Sequence, residues 1–145
     1  MATNAQRVFD LTMAIIDELN ENGSANTADT SEYKNRTLQI LNVLQGELYK
    51  YSDRYIMPEV GKRAIAQPIM DFEKDIGSLD DYISISVLPY GLAAHLLMDE
   101  NPAVAGTCLQ IYEELRADLS RGLISGSEDI NDVYGGFAHC DFANW

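Results

Sequence analysis

The sequence predicts a mainly α fold: a small bundle of about four helices, an extended arm or small β-hairpin over residues 52–78, and an extended C-terminal tail. Three observations predict it. Apolar residues recur at helical spacing in four separate stretches. Capping residues stand at the boundaries of those stretches. The helical period vanishes over residues 52–78 and again beyond residue 122.

The first helix is expected from Asn4 to about Glu21. Val8, Leu11, Thr12, Ile15 and Leu19 repeat on one face, and Phe9, Met13 and Ile16 widen it. Asn22-Gly23 supplies a stop, because glycine tolerates the left-handed conformation at a helix end. The second helix is expected from Asp29, with Glu32 three residues on completing an acidic capping box. Its stripe is the clearest in the chain: Tyr33, Thr37, Ile40, Leu41, Leu44, Leu48 and Tyr51. Gly46 weakens this helix by roughly 1 kcal/mol relative to alanine and is read as a close helix crossing.

From Ser52 to Ser78, Pro58, Gly61, Pro68 and Gly77 punctuate a stretch without helical period, read as an arm or loop that meets a neighbour or else as a tethered surface loop. Helix resumes at Leu79-Asp80-Asp81-Tyr82, where acids suit the helix dipole. Pro89 interrupts the apolar run that follows, so a kink or break is expected there. Asn101-Pro102 is a strong start for the last helix, whose stripe is Val104, Cys108, Ile111, Leu115 and Leu119, ended by Gly122. Leu41, Leu44, Leu96 and Leu115 are the expected core. The chain thus divides into a helical domain, 1–122, and a tail, 123–145. That tail is rich in Gly, Ser and Asp, yet it holds Ile130, Val133, Tyr134, Phe137, Phe142 and Trp145. So many large apolar groups read as docking anchors, either on the parent domain or on a partner.

Composition narrows the function. Of 145 residues, 46% are hydrophobic, enough for one real core, but no apolar run approaches the roughly 18 residues of a membrane span. Met1-Ala2-Thr3-Asn4 lacks the pattern of a signal peptide, so synthesis and folding in a cytoplasm are expected. Cys108 and Cys140 support no disulfide framework and read as free thiols. The net charge of −13 argues against nucleic-acid binding through bulk electrostatics. Residues 31–63 nevertheless carry +2, with Lys34, Arg36, Lys50, Arg54, Lys62 and Arg63 against four acids, so the rest carries −15. Uneven charge of this kind suits molecules that stack on their neighbours.

Catalytic motifs do not emerge. His95 sits in an apolar stretch and reads as a structural histidine. His139-Cys140-Asp141 are adjacent, and three adjacent side chains do not converge on one ion from regular structure. Asp80-Asp81 and Asp99-Glu100 fall at helix ends, where capping and solvation account for them. Neither a phosphate loop, a nucleophile elbow nor a zinc-protease motif is present. The expectation is a non-enzyme without cofactor or metal.

A set of segments carries a resemblance. In order they are Tyr33-Lys34-Asn35-Arg36, Leu41-Asn42, Glu47-Leu48, Asp80-Asp81-Tyr82, Leu88-Pro89-Tyr90-Gly91-Leu92-Ala93-Ala94-His95-Leu96-Leu97, Asp99-Glu100-Asn101-Pro102, Tyr112-Glu113-Glu114-Leu115, and Asp132-Val133-Tyr134-Gly135-Gly136 closing on Trp145. Together they resemble the small head-to-tail connector (adaptor, or head completion) proteins of tailed bacteriophages and prophages of Gram-positive bacteria. The resemblance implies a virion protein at the head–tail junction, a helical homo-oligomeric ring, often a dodecamer. Such a ring sits beneath the portal protein and above a tail or stopper protein, and DNA passes without sequence-specific binding. It also implies that residues around Asp132 to Trp145 dock on the portal, with Val133, Tyr134, Phe137, Phe142 and Trp145 as contacts. Two alternatives stand beside it: a non-catalytic regulatory or small-ligand-binding helical module of a prophage or bacterium, and an enzyme using His95 with a nearby carboxylate.

Overall fold

A computed structural model describes residues 2–18 and 30–122, and within them the fold is mainly helical. Helix α1 spans Ala5–Ile15, α2 Ser31–Leu48, α3 Asp81–Ser86, α4 Leu88–Leu96 and α5 Pro102–Gly122, with a 3-10 turn over Tyr49–Tyr51 after α2. The expected Asn22-Gly23 stop, the Asp29 cap and the whole 123–145 tail lie outside the described residues.

Helix α1 starts where expected: the Asn4 side chain accepts from the Arg7 amide at 2.9 Å. It ends earlier than the apolar stripe suggested. Asp17 takes the left-handed conformation at φ 61°. The amides of Asp17 and Glu18 then turn back to the carbonyls of Ala14 and Met13. This pair of bonds closes the helix as a Schellman motif, with aspartate where glycine usually stands.

The third predicted helix is divided in two. Asp80 caps α3 by accepting from the Ile83 amide at 3.0 Å. The helix breaks at Val87, and Pro89 falls in the first turn of α4. A proline there has no amide for the carbonyl four residues back and its ring clashes with that carbonyl, so the break falls just ahead of it. Asn101 begins α5 by accepting from the Val104 amide at 3.3 Å.

Helix α4 is the centre of the bundle. It packs on α1, α2, α3 and α5. Leu88, Pro89, Gly91, Leu92, Ala93, Ala94 and Leu96 are all buried, so the helix is apolar nearly all round. Phe9 and Met13 of α1 and Leu41, Leu44 and Leu48 of α2 close over it. The tight crossing is at Gly91. A Cβ there would lie 2.9 Å from the ring of Tyr112 and 3.0 Å from Leu44 Cδ1.

Gly46 is not the crossing the sequence suggested. A Cβ on Gly46 would meet nothing within 4 Å, and the same holds for Gly106 in α5. Both are exposed, and each weakens its helix by roughly 1 kcal/mol relative to alanine without any steric need. Replacing Gly46 by alanine is therefore expected to stabilise the fold by about 0.5–1 kcal/mol, read as a higher urea midpoint at unchanged slope.

Of the expected core, Leu41, Leu44 and Leu96 are buried, whereas Leu115 is half-buried at the edge. The buried stripe of α5 runs through Ala105, Cys108 and Tyr112, which turns Val104 outward and Leu115 to the rim. Tyr112 fixes this rotation. Its hydroxyl donates to Glu47 Oε2 at 2.9 Å, and burial, then that bond, raises the phenol well above its ordinary range.

Candidate assembly surface

Residues 52–80 connect α2 to α3 as an extended chain, the first of the two forms expected. No strand forms among the described residues; a single antiparallel bridge joins Asn4 to Asp75. The two halves of this connection behave differently, and the difference defines the surface.

The second half is strapped to the body by side chains that stand in for a partner strand. Asn42 of α2 donates to the Ile69 carbonyl at 3.0 Å and accepts from the Ile69 amide at 2.7 Å. Gln45 donates to the Gln67 carbonyl at 2.7 Å, and the Gln67 amide donates to Ser78 Oγ at 2.8 Å. The N-terminus lies across the same strap. The Ile76 amide donates to the Thr3 carbonyl, and the Gln6 amide donates to that of Phe72. Thr3 in turn donates its amide and hydroxyl to Asp81 Oδ1 at 2.9 and 3.0 Å, which holds that carboxyl below its usual range. With these bonds made, Ile69, Ile76 and Leu79 are buried.

The first half stands away from the body. Its base is clamped: the Ile56 amide donates to the Tyr49 hydroxyl at 3.2 Å, and Tyr49 meets Tyr55 edge-on with centroids 5.2 Å apart. Arg54 donates to the Ile76 carbonyl at 3.0 Å. Gly61, at φ 83°, lets the chain reverse between Glu59 and Lys62. Along this tip Ile56 is 74% exposed, Met57 84%, Ile65 86%, and Val60 wholly exposed. Four large apolar side chains in solvent on a clamped base have no account in folding. They make this tip a candidate interaction surface. A half-open groove of about 410 Å³ lies under the tip, lined in part by Tyr49, Met57, Arg63 and Ile65. Lys62 and Arg63 against Glu59 leave the tip basic by one charge in an acidic chain.

A second apolar surface sits where α4 hands over to α5. Ala94, His95, Met98, Pro102, Ala105, Gly106 and Leu109 line a groove of about 270 Å³. Ala94 and Ala105 form its buried floor; Met98 and Leu109 are exposed walls. No carboxylate lines this groove, so the arrangement that would have favoured catalysis by His95 is not made there. Asp99 and Glu100 follow Met98 in the turn. Glu100 accepts from the Tyr33 hydroxyl, and that bond, with burial, pushes the Tyr33 phenol up to about 12.

The two surfaces occupy opposite ends of α2. The tip springs from the C-terminal end through Tyr49, whereas Tyr33 and Arg36 at the N-terminal end bind Glu100 and the Leu96 carbonyl beside the groove. Eighteen helical residues separate these ends by about 27 Å. Helix α5 ends with Gly122 beside Tyr51 and Asp53, at the end of α2 that bears the arm.

The other residues singled out by sequence are accounted for. Asp80 and Asp81 serve capping and the N-terminal strap. Cys108 is buried, and burial raises its thiol. No group of three metal-ligating side chains occurs among the described residues, and no described helix is long and apolar enough to cross a membrane. His139, Cys140 and Asp141, and the docking residues Val133, Tyr134, Phe137, Phe142 and Trp145, lie outside the described residues. No family model, curated protein or solved structure matches the chain.

Proposed function

We propose that this chain is a structural head-to-tail connector of a tailed phage or prophage, forming a ring beneath the portal through which DNA passes. The observation that carries the reading is the placement of two unlike apolar surfaces at opposite ends of α2. A copy with a projecting arm at one end and a groove at the other makes heterologous contacts, and such contacts close into a ring when the rotation per subunit permits. The acidic balance of the chain suits a channel wall that DNA slides past, since basic side chains would release counterions and hold it. The tail is assigned to the portal through Val133, Tyr134, Phe137, Phe142 and Trp145.

Deleting residues 130–145 tests this. The shortened chain is expected to keep its urea midpoint, to be missing from particles, and to give DNA-filled heads that leak or lack tails. Normal infectious titre from the deletion would remove the docking role. A lowered midpoint would instead make the tail part of the core.

The groove at His95 favours a second reading, a regulatory or small-ligand-binding module, because its lining is almost wholly apolar. Gene order separates the two: a connector gene lies just after the portal, protease and capsid genes.

A further inference from the structure

We propose that the arm tip of one copy, with Val60 at its apex, inserts into the α4–α5 groove of a second copy. The inference rests on the connector reading and names the contact that would build its ring. Four features of the molecule argue for it.

The groove has room for a few aliphatic side chains and none for a folded element, and the tip offers a row of such side chains. Charge agrees: the tip carries Lys62, paired with Glu59 at 2.6 Å, and Arg63, while Asp99 and Glu100 follow Met98 of the groove wall. Gly106 lines the groove although nothing in the fold requires glycine there, and any side chain at that position would stand in its mouth. Finally, the tip does not reach its own groove. Four residues from Ile56 to Val60 extend at most about 14 Å, against about 27 Å between the two ends of α2. A tip that fills this groove is therefore a neighbour's.

Disulfide trapping in the full-length chain tests the contact. Cys140 is replaced by serine, buried Cys108 stays, and a Val60→Cys chain is mixed with an isotopically labelled Leu109→Cys chain. Trapping captures transient encounters, so a chain that sediments as a monomer still reads out. Mixed disulfides are expected at roughly tenfold or more above a Val60→Cys and Glu114→Cys control, the margin set by about 1.4 kcal/mol of preference. Adding Gly106→Leu to the Leu109→Cys chain is expected to return the yield to control without lowering the urea midpoint. A yield equal to control overturns the proposal. A separate Leu109→Cys chain that keeps Cys140 gives the other overturning result: an intrachain disulfide between the two would put the tail in the groove. If trapping fails while labelled protein still sits at the head–tail junction, this contact is wrong and the connector reading stands. If trapping succeeds and no label enters particles, the contact stands and the connector reading fails.

Discussion

Leu44→Ala is expected to lower stability by about 2–5 kcal/mol, the range for truncating a buried leucine with incomplete collapse around it. Leu44 is 1% exposed and touches the position where α4 slides between α2 and α5. Gly91→Ala is expected to destabilise by about 1–3 kcal/mol through overpacking against Tyr112 and Leu44, partly offset by the better helix propensity of alanine. The two changes should not add. Shortening Leu44 removes one of the two groups that the new methyl meets, so the double variant is expected to lose less than the sum, by about 0.5–3 kcal/mol. Urea midpoints of the four proteins check the cycle. Strict additivity would mean that α4 shifts away from α2 in the Gly91 variant and that the crossing is looser than its distances indicate.

Serine at Ile56, Met57, Val60 and Ile65 together is expected to leave the free energy of unfolding within about 0.5 kcal/mol of the parent, because these side chains contribute nothing to the core. Assembly should respond oppositely. An interface anchor typically contributes about 2 kcal/mol or more, so losing even two of them weakens association more than about 100-fold. Sedimentation over a concentration series, together with incorporation into particles, reads this out. Unchanged assembly would show that the tip is solvated loop. A lowered midpoint would show that the tip packs on its own body.

How far the sequence reveals this protein differs from element to element. The α2 stripe is legible because its face is buried along the whole length: Tyr33, Thr37, Leu41, Leu44 and Leu48 all pack inward. The break before Pro89 is legible because a proline inside a continuous helix would lose the bond to the carbonyl four residues back and clash with it. The stop at Asp17 is not, since aspartate adopts the left-handed conformation only where neighbouring bonds demand it. Asn42 and Gln45 read as solvent-facing polar residues on a helix, and only the folded chain shows them holding Ile69 and Gln67. Tyr112 is hidden for a similar reason, lying beside Glu113 and Glu114 in a stretch that looks polar.

The candidate surface divides the same way. Loss of helical period marks residues 52–78 as unusual. Without a period, no pattern separates Ile69 and Ile76, which are buried, from Ile56 and Ile65, which are exposed. The α4–α5 groove has no signature along the chain at all. It exists because two helices meet at a turn over a floor of small side chains, Ala94 and Ala105.

The strap across the N-terminus bears on the order in which the chain folds. Thr3 finds its partner 78 residues later, at Asp81, and Phe9 meets Phe72 edge-on at 6.4 Å. Helix α1 also packs on α4. Apart from lesser packing on α2, the contacts of α1 are thus with residues synthesised long after it. An isolated helix of 11 residues is marginal in water, so α1 has little to hold it together while it waits. Closing so long a loop slows folding more than it weakens the result. During synthesis α2 is free to nucleate with the helices that follow it, and α1 is captured only after the residues of the strap and α4 have left the ribosome.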